Sequence, residues 1–242
     1  MEIPSGSNLV TLSGLDIDGS AVHEPAVWVM SFDDVIQDSD ITNGNLGTSC
    51  ILMGSNSSDW GGPSGRVIIR RNRIHNCGNA ADGDKDHGIY AAETVDSQIV
   101  DNEIWGITTY GFALHVYPNA QRTLFAHNVI DGNGRGVVFG GDSSFASSDN
   151  TVAYNLITNS SVDDNVRSSW VGPIGTGNVA RDNCLYNGHP GDLGANLGFT
   201  ATANLHADPL YVDRINHDYR LRPNSPCLSV VRYDTAAKLA RP

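Results

Sequence analysis

The densest run of chemically capable side chains is Asp82-Gly83-Asp84-Lys85-Asp86-His87, directly ahead of the apolar segment Gly88-Ile89-Tyr90-Ala91. Carboxylates at alternate positions are the oxygen donors that hard cations take, so Asp82, Asp84 and Asp86 are candidate ligands for Ca²⁺. A second run, Tyr110-Gly111-Phe112-Ala113-Leu114-His115-Val116-Tyr117, lies further along, and Arg135 precedes the next apolar block. His87, His115, Lys85, Arg135 and Tyr110 form the candidate catalytic set, with the rings of Tyr90, Tyr117 and Trp60 as candidate substrate contacts. This mixture suits acidic sugars. Abstraction of the C5 proton of a uronic acid loads negative charge on its carboxylate, which Arg135, Lys85 or a cation can stabilise. A His or Tyr can take that proton while another protonates the leaving oxygen. The acidic run also has a purely structural reading as a solvated turn, where Asp is favoured for backbone reasons. Trp60, in the loop 54–65, reads equally as a cover for apolar surface.

These residues are positioned by a repeat. Val67-Ile68-Ile69-Arg70-Arg71-Asn72-Arg73-Ile74 returns as Gln98 to Ile104, Thr123 to Ile130, Thr151 to Ile157 and Asn178 to Leu185, with weaker copies ending at Ile17 and Ile41. The closing apolar residues Ile17, Ile41, Ile74, Ile104, Ile130, Ile157 and Leu185 are spaced 24, 33, 30, 26, 27 and 28 apart. Such a period is too short for a propeller blade, and the units lack the fixed leucines of a leucine-rich repeat. Apolar and polar residues alternate within each unit, as strands with one face inside require. The fold class is therefore all-β: a single-domain right-handed parallel β-helix of about seven coils, roughly 34 Å long at the usual strand spacing. An Asn stands two positions before each of five anchors, at Asn72, Asn102, Asn128, Asn155 and Asn183. Asn tolerates a left-handed turn, and stacked copies can bond along the column. A second strand in each coil is visible as Ile51-Leu52-Met53, Gly88 to Ala91, Gly111 to Leu114 and Gly136 to Phe139, its glycine turning the chain into the strand. Aligned on those glycines, Ile89, Phe112 and Val137 face inward and Tyr90, Ala113 and Val138 outward.

The coils occupy residues 1–203. Residues 204–242 form a closing segment that would cover the last open sheet edge, since an uncapped solenoid risks association. At the other end a coil-like pattern begins at Val10 with no cap before it, so N-terminal coils are expected to be missing. The expected state is a monomer, with an exposed N-terminal coil as the route to self-association. Fifteen basic residues against 27 acidic ones give a net charge of −12, which argues against a nucleic-acid backbone as partner. No apolar run is long enough to cross a bilayer as a helix. The four cysteines lack metal-site spacing, and disulfides are the expectation, with Cys50–Cys77 and Cys184–Cys227 as the sequence-local pairing among three.

Together these features resemble the pectate-lyase-like superfamily of right-handed β-helices, over essentially the whole chain. Asp208-Pro209-Leu210-Tyr211-Val212-Asp213 and the residues after it look like the C-terminal segment common in such proteins. Tyr110, Gly111, Phe112 and His115 match the Tyr-Gly-Phe-Asp-Pro-His-Asp motif of β-helical alginate epimerases, with Ala113 and Val116 in place of its aspartates. The resemblance implies a secreted, carbohydrate-active protein. The leading expectation is a polysaccharide lyase cleaving a uronate-containing glycan by β-elimination. The alternatives are a non-catalytic glycan-binding or structural solenoid, such as a piece of a larger enzyme, and a glycoside hydrolase or uronate epimerase.

Overall fold

Three-residue strands with a buried centre and more open flanks, such as Asp40–Thr42 and Arg73–His75, leave each segment one apolar face to hide, and stacking hides it. The computed structural model describes residues 1–55, 62–108, 110–195 and 197–231, excepting the side chains of 84, 85 and 231. It is a parallel β-solenoid of about seven turns, each turn contributing one strand to each of three sheets. The first sheet runs through Val27–Val29, Ser49–Met53, His87–Ala91, Phe112–Val116, Arg135–Gly141 and Val166–Trp170. The second and third each contain eight strands. Ile69, Ile99, Phe125 and Val152 fill the core from the second sheet. From the third, Ile17, Ile41, Ile74, Ile104, Ile130, Ile157 and Leu185 pair in one unbroken column, as their spacing predicted.

The asparagine column forms a continuous ladder. Asn72, Asn102, Asn128, Asn155 and Asn183 each donate from Nδ2 to the Oδ1 of the next, at 2.9–3.0 Å, and the column ends on Asn204. Each amide also donates to a backbone carbonyl, as Asn128 does to Ile99 at 2.9 Å. The left-handed backbone belongs to the residue before each Asn: Arg71, Asp101, His127, Tyr154 and Asp182 all have φ between 53° and 59°. Those residues are exposed or partly exposed at the corner, which frees the Asn to turn its amide inward. A shorter ladder joins Asn150 to Asn178 at 3.0 Å.

The register of the first sheet differs from the expected one. His87 pairs with Phe112 and Arg135, Ile89 with Leu114 and Val137, and Tyr90 with His115 and Val138. Ala113 lies in the core beside Leu114, whereas Phe112 is outside it. Two successive positions face inward here because the residues at this row are small. A Cβ on Gly136 would stand 2.1 Å from the Asn165 carbonyl oxygen, and one on Gly88 would meet the Ala113 carbonyl oxygen at 2.7 Å. Neither glycine has a positive φ; they are required for space and not for turning.

Both disulfides, Cys50–Cys77 and Cys184–Cys227, follow the sequence-local pairing. The C-terminal segment is described as far as residue 231. Its antiparallel pair, Tyr211–Asp213 and Asp218–Leu221, lies back along the outer face of the third sheet. There Tyr211, Tyr219 and Leu221 pack on Trp105, Val129 and Leu156. Arg214 bonds Asp131 at 2.8–2.9 Å, and Cys227 fastens the end to Cys184. The reason is apolar: these third-sheet residues face outward and need a cover. The coils themselves run on to Leu205–His206, which pairs with Cys184–Tyr186.

Candidate active site

Outward side chains of the first sheet stand in columns, one rung per coil. One column is Trp28, Leu52, Tyr90, His115, Val138 and Arg167; the adjacent one is Ser49, His87, Phe112 and Arg135. Along the N-terminal rungs of both columns, as far as His115, lies an open groove of about 600 Å³ lined by Glu24, Trp28, Ser49, Leu52, His87, Tyr90, His115 and Tyr117 among others.

At its C-terminal end, His87 Nε2 and His115 Nδ1 are 3.0 Å apart in a hydrogen bond whose donor is set by the tautomer. His87 is 1% exposed, and its Nδ1 is buried with no hydrogen-bond partner among the described residues. Its proton affinity falls well below that of a free imidazole, chiefly because burial penalises the charged form and next because His115 and Arg135 are nearby. His115, half-buried, is lowered to about 3 by desolvation first and Arg135 second. Both rings are therefore neutral at ordinary pH. Three aromatic rings stack around His115: Phe112 and Tyr117 with centroids at 4.8 Å, and Tyr90 at 5.0 Å. Burial pushes the Tyr90 phenol well above its usual range, with smaller contributions from Tyr117 and Asp142. Tyr117 is raised for the same leading reason, with Asp142 second. These phenols hold their protons where the imidazoles lack one.

Arg135 lies over Phe112, 4.9 Å from the ring centre, and within 5.8 Å of that of Tyr110, which is half exposed. Asp163 stands 3.6 Å from Arg135 Nε and accepts from Arg167 at 2.5 and 2.7 Å. One end of the face thus carries two guanidinium groups around one carboxylate. Five of the expected residues, His87, His115, Tyr90, Tyr117 and Arg135, meet on this face, and Tyr110 joins them at its edge.

The acidic run behaves differently. Asp82 pairs with His23 at 3.1 Å, and Asp86 is fully buried, accepting from Thr108 at 2.9 Å. Burial raises the proton affinity of Asp86. The described carboxylates thus turn to separate partners, and no group of three metal-binding side chains occurs among the described residues. Trp60 and the side chains of Asp84 and Lys85 lie outside the described residues.

A family model for the right-handed β-helix region matches residues 4–177. The chain belongs to the right-handed β-helix family. No curated protein sequence matches this β-helix. Among solved structures it is similar to the Agl-KA catalytic domain, with a TM-score of 0.53 and 16% identity over 83% of this chain and 40% of that one. The tailspike protein of E. coli bacteriophage HK620, in complex with a pentasaccharide, gives 0.53 and 13% over 83% and 38%. Pectate lyase Pel9A gives 0.50 and 14% over 91% and 67%. The β-helix thus spans about two fifths of the length of the first two.

The site residues that sequence reasoning missed are Trp28, Leu52, Arg167 and Asp163. Trp28 and Arg167 are outward positions of the short segments Val27-Trp28-Val29 and Val166-Arg167-Ser168, and the alternation was enough to expose them. Asp163 had no such signal, because its place beside two arginines depends on how a turn folds back.

Proposed function

We propose that this β-helix is an exported polysaccharide lyase that cleaves a uronate-containing glycan by β-elimination in the first-sheet groove. The observation that carries the reading is the neutral, hydrogen-bonded His87–His115 pair beside Arg135 and two protonated phenols. With His115 Nδ1–H donating to His87 Nε2, the lone pair on His115 Nε2 accepts the C5 proton of the uronate. The electrons of that C–H bond form the C4–C5 double bond and the C4–O4 bond breaks. The Tyr117 hydroxyl protonates O4, and the charge building on the C6 carboxylate is held by Arg135. Substrate binding prepares the base: a carboxylate docked on Arg135 offsets the positive charge that is one of the two causes of His115's weak proton affinity. Two disulfides suit an oxidising compartment outside the cytoplasm, and among the described residues no helix is long and apolar enough to cross a membrane.

The test is incubation with alginate, pectate and glycosaminoglycans, with and without Ca²⁺, while following the absorbance of the unsaturated uronate product. Cleavage of one of them is expected, with Arg135→Gln slower by about 100-fold or more, the usual loss when one donor to a developing oxyanion is removed. No absorbance rise on any polymer, from protein shown to be folded, overturns the reading. Binding without turnover, unchanged in His115→Gln, would instead support a non-catalytic glycan-binding solenoid.

A further inference from the structure

The groove is not uniform along its length. Towards the N-terminal coils its outward column continues from Tyr90 to Leu52 and then Trp28, one and two rungs away, or about 5 and 10 Å at the spacing of paired strands. Leu52 is partly open to the groove. Trp28 is held with its Nε1–H donating to the Gly54 carbonyl oxygen at 3.4 Å, and Pro25 forms the adjoining wall. None of the described residues lining this end is Lys or Arg, and its rim carries the exposed Glu24. Past the opposite end, beyond His115 and outside the groove lining, Arg135 and Arg167 converge on Asp163. A rung advances by close to the length of one sugar unit in an extended glycan, so successive units meet successive rungs.

We propose that the rungs of Leu52 and Trp28 form a subsite for a neutral sugar bearing a methyl group, such as an O-acetylated, methyl-esterified or 6-deoxy unit. This rests on the reading of the groove as a glycan site and adds a preference to it. Two independent features support the assignment. The apolar floor gains by removing a methyl group from water, whereas a bare polyhydroxylated or charged unit has less apolar surface to bury there. The Glu24 carboxylate, with no cation beside it in the lining, repels a uronate at that position and tolerates a neutral unit. The preferred chain alternates in character: its uncharged, methyl-bearing unit lies on Leu52 and Trp28, and its carboxylate reaches the arginine end.

The experiment compares one uronate polymer as partly O-acetylated, partly methyl-esterified and fully de-esterified chains, all of which keep carboxylates for the arginine end. Cleavage is followed by unsaturated product, and affinity for oligosaccharides of the same three kinds by tryptophan fluorescence. Substituted chains are expected to exceed the bare chain by about tenfold or more, the usual effect of one methyl group in an apolar pocket. Leu52→Asn abolishes that ratio, bringing the substituted chains down to the level of the bare one. Glu24→Lys, at an exposed position that does not put folding at risk, improves binding of the bare chain and narrows the ratio. Equal handling of all three chains, or a ratio untouched by both variants, overturns the subsite while the lyase reading stands. If no chain is cleaved, the lyase reading falls, and the affinity ratio still decides the subsite.

Discussion

Acidification should destabilise this protein through His115, by an amount the site geometry sets. In the native state His115 stays neutral down to about pH 3, whereas an unfolded histidine takes up a proton near 6.5. Between these values the unfolded chain binds one more proton than the native one, so stability falls as pH falls. At pH 5.0 the interval below 6.5 is 1.5 units, and at ~1.36 kcal/mol per unit the loss relative to pH 7.5 is about 2 kcal/mol. The figure is insensitive to the native value as long as that stays well below 5. His87, also held neutral by burial and its cationic neighbours, adds a loss of the same sign. The assay is urea unfolding at pH 7.5, 6.5, 5.5 and 5.0 for the parent and His115→Gln, followed by tryptophan fluorescence and circular dichroism. Gln can still donate to His87 Nε2, and whatever it costs in packing is constant with pH. The stability difference between the two proteins should therefore shift in the variant's favour by about 2 kcal/mol from pH 7.5 to 5.0. A difference that stays constant with pH would show that His115 is protonated in the folded protein, refuting the neutral pair and the base assigned to it.

The other expectations concern the scaffold. Asn128→Ala removes the carboxamide that bonds Asn102, Asn155 and the Ile99 carbonyl. It leaves buried polar partners unpaired, at a cost of about 3 kcal/mol in denaturant unfolding; a loss under about 1 kcal/mol would mean that water replaces the ladder. Replacing both Cys184 and Cys227 by Ser opens a link across 43 residues of sequence. A loss of about 4 kcal/mol is expected, with faster proteolysis between Asp208 and Leu228 than in the coils. Uniform cleavage along the chain would count against a docked C-terminal segment. Arg135→Gln should raise the proton affinity of His115, since the guanidinium is the second cause of its depression. An upward move of the low-pH limit of activity would report it, and an unmoved limit would assign the whole effect to burial.

Much of this molecule was legible along the chain, for reasons of local physics. A strand with one face inside must alternate, and a stack must repeat its period. The column from Ile17 to Leu185 and the asparagine positions therefore followed from spacing alone. The gathering of His87, His115 and Arg135 on one face came from the same regularity, because neighbouring coils place equivalent positions one rung apart. What was not legible depended on space and direction. Aligning Gly88, Gly111 and Gly136 misplaced Phe112 and Ala113, since Gly88 and Gly136 mark the row where a carbonyl approaches too closely for a Cβ, and that approach exists only once coils stack. The left-handed corner fell on Asp101 and its counterparts and not on the asparagines, because a buried ladder amide cannot also occupy a solvent-facing turn. The antiparallel pair Tyr211–Asp213 and Asp218–Leu221 lies on the outer face of the third sheet because outward Trp105, Val129 and Leu156 needed a cover, a demand that arises from the alignment of three separate coils. The proton state of the histidine pair was decided in the same way. The sequence by itself determined which residues could reach the groove; only the tertiary structure, by burying His87 and setting Arg135 nearby, decided that the pair is neutral.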